Sequence, residues 1–220
     1  MPTFAENSFE ALHEDRLDDI CVALVNQGYC VLDAALPAAR LRALQQEQAS
    51  LTAAELLAAG IGREQQHQQG RQVRGDHIHW LDRQRPAAAD YLDFAESLRQ
   101  GINRRLFLGL FDYECHYARY EPGAFYARHV DAFAGRRNRV LSTVLYLNED
   151  WHESDGGELV LYDDRSDGEL LRLLPQSNRM VLFLSERFPY EVLAARRSRC
   201  SIAGWYRVNP SDTQRVDPQR

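Results

Sequence analysis

His129 and Asp131, two residues apart in the run Tyr126-Ala127-Arg128-His129-Val130-Asp131, carry the first chemical signal. On an extended chain, positions i and i+2 face the same side. An imidazole and a carboxylate so placed can converge on one metal ion. A nitrogen and oxygen donor set of this kind suits Fe(II) held facially, with positions left open for a co-substrate and oxygen. Alone, the tripeptide is a short and common pattern, and a turn with a local hydrogen bond would give the same string. His77 and His79 repeat the spacing but have no third partner nearby, so they read as positions on a surface strand. Arg199 stands in a basic cluster with Arg196 and Arg197. Such clusters usually mean a solvated face. Arg199, however, precedes the run Cys200-Ser201-Ile202, a position that favours one arginine pointing inward.

These groups must be positioned by the second half of the chain. From about Asp112, short runs rich in Tyr, Val, Leu and Phe alternate with Gly, Pro, Asn and Asp. The predicted strands are 113–120, 125–129, 140–147, 158–162, 170–174, 180–184, 190–193 and 201–208. Eight short strands at this spacing predict a jelly roll or barrel. Gly156-Gly157 reads as the turn before one of them. The first half reads mainly as helix. Leu17, Ile20, Cys21, Leu24 and Val25 recur at helical spacing until Gly28, and a short strand over 29–32 follows. Pro37 opens a helix running to about Ala59, and Pro86 opens a third through Leu92, Leu98, Ile102 and Leu106. The stretch 60–75 reads as a mobile polar loop. Helices first and strands after argue for an α+β fold with the helices packed on one sheet. The predicted organisation is a helical support and substrate-loop region over 1–111, a core over 112–208 and a loose tail over 209–220.

Several separated strings agree in order and spacing: Tyr120-Glu121-Pro122-Gly123, His129-Val130-Asp131, Leu145-Tyr146-Leu147-Asn148-Glu149-Asp150-Trp151, Gly156-Gly157-Glu158-Leu159, Phe188-Pro189-Tyr190-Glu191-Val192, and Arg199 followed by Ile202-Ala203-Gly204-Trp205-Tyr206. Together they resemble the catalytic core of the prolyl-hydroxylase-like 2-oxoglutarate oxygenases, especially the hydroxylases that act on hypoxia-inducible factor and their bacterial relatives. The resemblance implies a double-stranded β-helix of jelly-roll, cupin-like form. It implies Fe(II) and 2-oxoglutarate as cofactor and co-substrate, with ascorbate as an accessory reductant, and a protein or peptide substrate hydroxylated on a prolyl or related residue. It makes His129 and Asp131 iron ligands, and gives Tyr146 and Arg199 the far carboxylate of 2-oxoglutarate. Leu159 and Trp205 become walls of that pocket. Arg74 and Asp76, in Arg74-Gly75-Asp76-His77-Ile78-His79-Trp80, become the substrate-contacting pair, with the loop from Gly60 to Asp76 as a lid.

The family supplies a histidine nine residues before the arginine as third iron ligand; this chain has Tyr190 there. Five readings stay open. Tyr190 ligates as a phenolate, at odds with an ordinary pKa of about 10. Alternatively, two protein ligands suffice, or the chain is an inactive relative that binds 2-oxoglutarate or peptide, or His116 or His152 swings in, or the residue is an alteration.

A net charge of −6, from 26 basic and 32 acidic residues, weighs against a nucleic-acid partner and against nucleobase repair. Cys21, Cys30, Cys115 and Cys200 are scattered and form neither a zinc pattern nor a disulfide framework. No apolar run reaches membrane length and the N-terminal stretch is polar, so a cytoplasmic protein is expected. The oligomeric state is not encoded legibly.

Overall fold

The computed structural model describes residues 13–58, 74–131 and 138–209. The loop expected over 60–75, and the lid reading attached to it, lie outside the described residues except for the last positions. The tail after residue 209 lies outside them too.

Three helices come from the first half: α1 (Glu14–Asn26), α2 (Ala38–Ser50) and α3 (Pro86–Leu106). In α1 the buried face is Leu17, Ile20, Cys21 and Leu24, at the spacing the sequence predicts. Gly28 then turns the chain at φ 83°, and its N–H donates to the Leu24 carbonyl at 3.0 Å. Helix α3 begins with Pro86, whose missing N–H costs nothing in a first turn. It buries Tyr91, Phe94, Leu98 and Ile102, and Arg104 and Arg105 complement its C-terminal dipole.

The strands are β1 (Tyr29–Leu32), β2 (Leu57–Ala58), β3 (Asp76–Trp80), β4 (Leu110–Tyr120), β5 (Tyr126–His129), β6 (Arg139–Tyr146), β7 (Leu159–Tyr162), β8 (Glu169–Leu173), β9 (Met180–Leu184), β10 (Tyr190–Val192) and β11 (Arg199–Val208). They form a seven-stranded sheet in the order β1-β9-β6-β11-β4-β3-β2 and a four-stranded sheet in the order β5-β10-β7-β8. Pairing within both is antiparallel. All eight strands predicted for the second half are present, within a few residues at their ends.

One expectation fails. The second helix was to reach about Ala59, but α2 ends at Ser50. The Ser50 hydroxyl donates back to the Glu47 carbonyl at 2.7 Å, a local bond that competes with helix propagation. The Thr52 N–H and hydroxyl both donate to Glu55 Oε2, at 2.9 and 2.7 Å, and start a separate turn. Leu57 and Ala58 then pair with Ile78 and His77 as an edge strand.

Strand alternation sorts the core into two layers. Leu141, Leu145, Met180, Leu182, Ile202 and Tyr206 face the helices, packed with Leu17, Ile20, Leu98 and Ile102. Val144, Tyr146, Val181 and Phe183 face the other way and pack between the sheets against Leu159, Leu161 and Tyr190. Each aliphatic side chain fully buried in these layers contributes roughly 2 kcal/mol. The same alternation turns Arg199, Ser201, Ala203 and Trp205 of β11 toward the second sheet.

Candidate active site

His129 ends β5, and Asp131 follows it into a buried position. His129 Nδ1 lies 2.8 Å from the Ala127 carbonyl. A carbonyl only accepts, so Nδ1 carries a proton and Nε2 is the ring nitrogen left to face Asp131. That Nε2 is buried without a hydrogen-bond partner, 3.6 Å from Asp131 Oδ1. The Tyr126 ring stacks on the imidazole at 3.6 Å and fixes its plane. The second carboxylate oxygen, Oδ2, accepts from the Ser142 hydroxyl at 2.6 Å. Burial pushes the Asp131 carboxyl up, but the neighbouring His129 and the Ser142 hydroxyl outweigh it and hold it below the usual carboxylate value.

Tyr190 is opposite His129 in the β5–β10 register. Its hydroxyl donates to Asp131 Oδ1 at 3.0 Å. Burial, and then the Asp131 charge, push this phenol well above its ordinary value, so it keeps its proton.

Arg199 is fully enclosed, with its guanidinium carbon 5.2 Å from the Tyr120 ring and 5.1 Å from the Tyr146 ring. Nε donates to the Gly157 carbonyl at 2.8 Å, which orients the fork. Nη2 has no hydrogen-bond partner, and neither do the Tyr146 hydroxyl and Trp205 Nε1. Burial pushes Tyr146 up to about 12, partly offset by Arg199, so it is a neutral donor. Gly157 sits at φ 75°, where an added Cβ would meet Ala195 at 2.8 Å.

Arg74, His116, Leu159, Tyr190, Arg199 and Trp205 line one cavity. Arg74 Nε and Nη2 donate to the two oxygens of buried Asp76 at 2.6 and 2.9 Å, and its guanidinium lies over the Tyr126 ring. Sequence reasoning assigned no role to Ser142, Tyr126, Tyr120 or the Gly157 carbonyl. Ser142 was recoverable, since it shares a strand face with Val144 and Tyr146.

The donors present fit a 2-oxoacid carboxylate. An unpaired buried donor costs about 1–3 kcal/mol, and a carboxylate reaching Arg199 Nη2 and the Tyr146 hydroxyl would relieve two of them. The fit to Fe(II) is partial. His129 Nε2 and Asp131 Oδ1 offer two ligands, but among the described residues no group of three His, Cys, Asp or Glu side chains is placed to hold an ion. Neither His116 nor His152 forms such a group with His129 and Asp131. His116 lines the cavity with Nε2 3.4 Å from Arg74 Nη2, and His152 is exposed at the start of the turn Glu153–Asp155. His77 and His79 lie on β3, as expected for a strand.

The model of the 2OG-Fe(II) oxygenase superfamily matches residues 115–207. A crystal structure of a Pseudomonas putida prolyl-4-hydroxylase superposes with a TM-score of 0.79 at 40% identity, covering 87% of this chain and 98% of that one. A prolyl hydroxylase from Trichoplax adhaerens, solved with a peptide fragment of the hypoxia inducible factor oxygen degradation domain, gives 0.78 at 27% identity, over 88% of this chain and 90% of that one. The hypoxia-inducible factor prolyl hydroxylase of Caenorhabditis elegans is 31% identical over 144 residues, 61% of this chain and 20% of that protein. The mouse Egl nine homolog 1 is 27% identical over 150 residues, 64% of this chain and 37% of its own length. The chain thus spans well under half of these two curated relatives.

Proposed function

The chain belongs to the 2OG-Fe(II) oxygenase superfamily, as a dioxygenase with prolyl hydroxylases among its relatives, and on that premise we propose that it hydroxylates a prolyl or related residue of a protein substrate. The observation that carries this reading is the set of groups gathered around one cavity. Tyr190, which lines it, contacts the His129–Asp131 pair, and Arg199, which also lines it, lies beside the Tyr146 ring, with Arg199 Nη2 and the Tyr146 hydroxyl both unpaired.

Arg199 and Tyr146 would bind the far carboxylate of 2-oxoglutarate, with Leu159 and Trp205 excluding water from its carbon chain. His129 and Asp131 would hold Fe(II). Bound there, the metal supplies oxygen activation while 2-oxoglutarate is oxidised to succinate and CO2. Arg74, locked to Asp76 and lying over Tyr126, would position the substrate chain against this end of the cavity. The test is anaerobic titration with Fe(II) and 2-oxoglutarate, then a succinate assay in air with a proline-containing peptide. A weak visible charge-transfer band and peptide-dependent succinate are expected; absence of both ends the catalytic reading.

One observation favours a second reading, a relative that binds 2-oxoglutarate or peptide without turnover: the phenol of Tyr190 stands where a third ligand would be. Tight 2-oxoglutarate binding with no succinate would select it.

A further inference from the structure

The sign of the Tyr190 contribution to metal binding depends on which oxygen it touches. Asp131 Oδ1 is the oxygen 3.6 Å from His129 Nε2, and so the one through which the pair would share an ion. Oδ2 is already taken by Ser142. The Tyr190 hydroxyl donates to Oδ1 at 3.0 Å. Its proton therefore takes one lone pair of the oxygen that the metal needs and draws charge from it.

The ring cannot easily turn away. Tyr190 is buried, its centroid 4.3 Å from that of His129 and 5.1 Å from that of Phe183, which meets it edge to face. Its backbone is paired on both sides, with His129 of β5 and Leu161 of β7. The hydroxyl is thus held between the imidazole and the carboxylate by packing that does not depend on a metal.

We propose that Tyr190 competes with the metal for Asp131 instead of serving as its third ligand. A divalent cation entering between His129 and Asp131 must share Oδ1 with the Tyr190 hydroxyl or displace it. Metal loading is then a reversible and weak event, and the empty site is a stable arrangement in its own right. This rests on the proposed oxygenase reading only in taking His129 and Asp131 as the two ligands.

The experiment is equilibrium titration of the full chain with Mn(II), and anaerobically with Fe(II), in wild type, Tyr190→Phe and His129→Ala. Tyr190→Phe keeps the packed ring and removes only the hydroxyl. It is expected to tighten metal binding roughly tenfold, as loss of a competing hydrogen bond to a charged group should. If wild type binds too weakly to measure, binding that emerges in Tyr190→Phe is the same result. Unchanged or weaker binding in Tyr190→Phe overturns the proposal. So does an intense visible band on loading wild type with Fe(III) that Tyr190→Phe lacks, since that band marks a phenolate ligand. Metal binding that survives His129→Ala overturns this proposal and the placement of the metal together. Absence of succinate from a protein that behaves as expected here overturns only the catalytic reading.

Discussion

Arg199 Nε donates to the carbonyl of Gly157 at 2.8 Å, and this bond orients a guanidinium that lines the cavity. The carbonyl comes from a backbone position at φ 75° that a side chain would crowd. The anchored nitrogen of this side chain is thereby distinct from Nη2, which has no hydrogen-bond partner.

Replacing Arg199 by Ala is expected to weaken 2-oxoglutarate binding by about 1.5–3 kcal/mol, the usual range for a hydrogen bond to a charged group. Arg199→Lys should recover only part of this, because an ammonium is a point charge without the planar fork. Calorimetric titration of both variants, with thermal melting to check folding, decides it. A dissociation constant that does not move in Arg199→Ala would show that Nη2 is not the carboxylate donor.

Tyr190→His should raise Fe(II) affinity by at least about tenfold, in keeping with the size of metal-site effects, and should raise succinate yield with it. The β10 register sets this position directly opposite His129. An unchanged metal affinity in a folded variant would mean that β10 does not aim its side chain at the ion.

The buried pair Asp112 and Arg207 predicts a stability effect away from the site. Arg207 Nε donates to Asp112 Oδ1 at 2.9 Å, and its Nη1 lies 3.2 Å from Glu114 Oε2. Arg207→Ala strands Asp112 in a nearly dry environment while Glu114 keeps Arg139, which should cost about 3–5 kcal/mol. Urea denaturation measures it, and a loss under about 1 kcal/mol would contradict the assignment.

His116 predicts a pH dependence. Burial first, then the charge of Arg74, pushes its pKa down to about 4. The unfolded chain takes up the proton near pH 6.5 while the folded one does not. Stability is therefore full above about 6.5 and falls as pH drops toward 4, by on the order of 3 kcal/mol. Asp131, held below its ordinary value, adds a loss in the same direction below about pH 4. Denaturation midpoints at pH 7, 5.5 and 4.5 should converge between wild type and His116→Gln as pH falls. Parallel curves would rule the imidazole out as the cause.

The strands and the first and third helices were legible because alternation and helical spacing are local patterns. Arg199 was read as inward from the run Cys200-Ser201-Ile202 that follows it and from the family resemblance, although the predicted strand began only at Ser201; the observed strand starts at Arg199 itself. The end of the second helix was not legible. It depends on the Ser50 and Thr52 hydroxyls, whose choice between backbone and side-chain partners is made locally and leaves no periodicity. The contact made by Tyr190 was equally hidden. Sequence places a phenol at the position, but only the structure shows the phenol and the imidazole meeting at the same carboxylate oxygen.

In β11, Arg199, Ser201, Ala203 and Trp205 face the second sheet, while Ile202 and Tyr206 face the helices. A single-residue insertion or deletion within this strand would exchange the two sets. Downstream of the change, aliphatic groups would be delivered to the cavity and polar ones to the hydrophobic layer. Drift in length should therefore collect in the turns flanking this strand and spare its interior, a pattern that sequencing of natural variants can read directly.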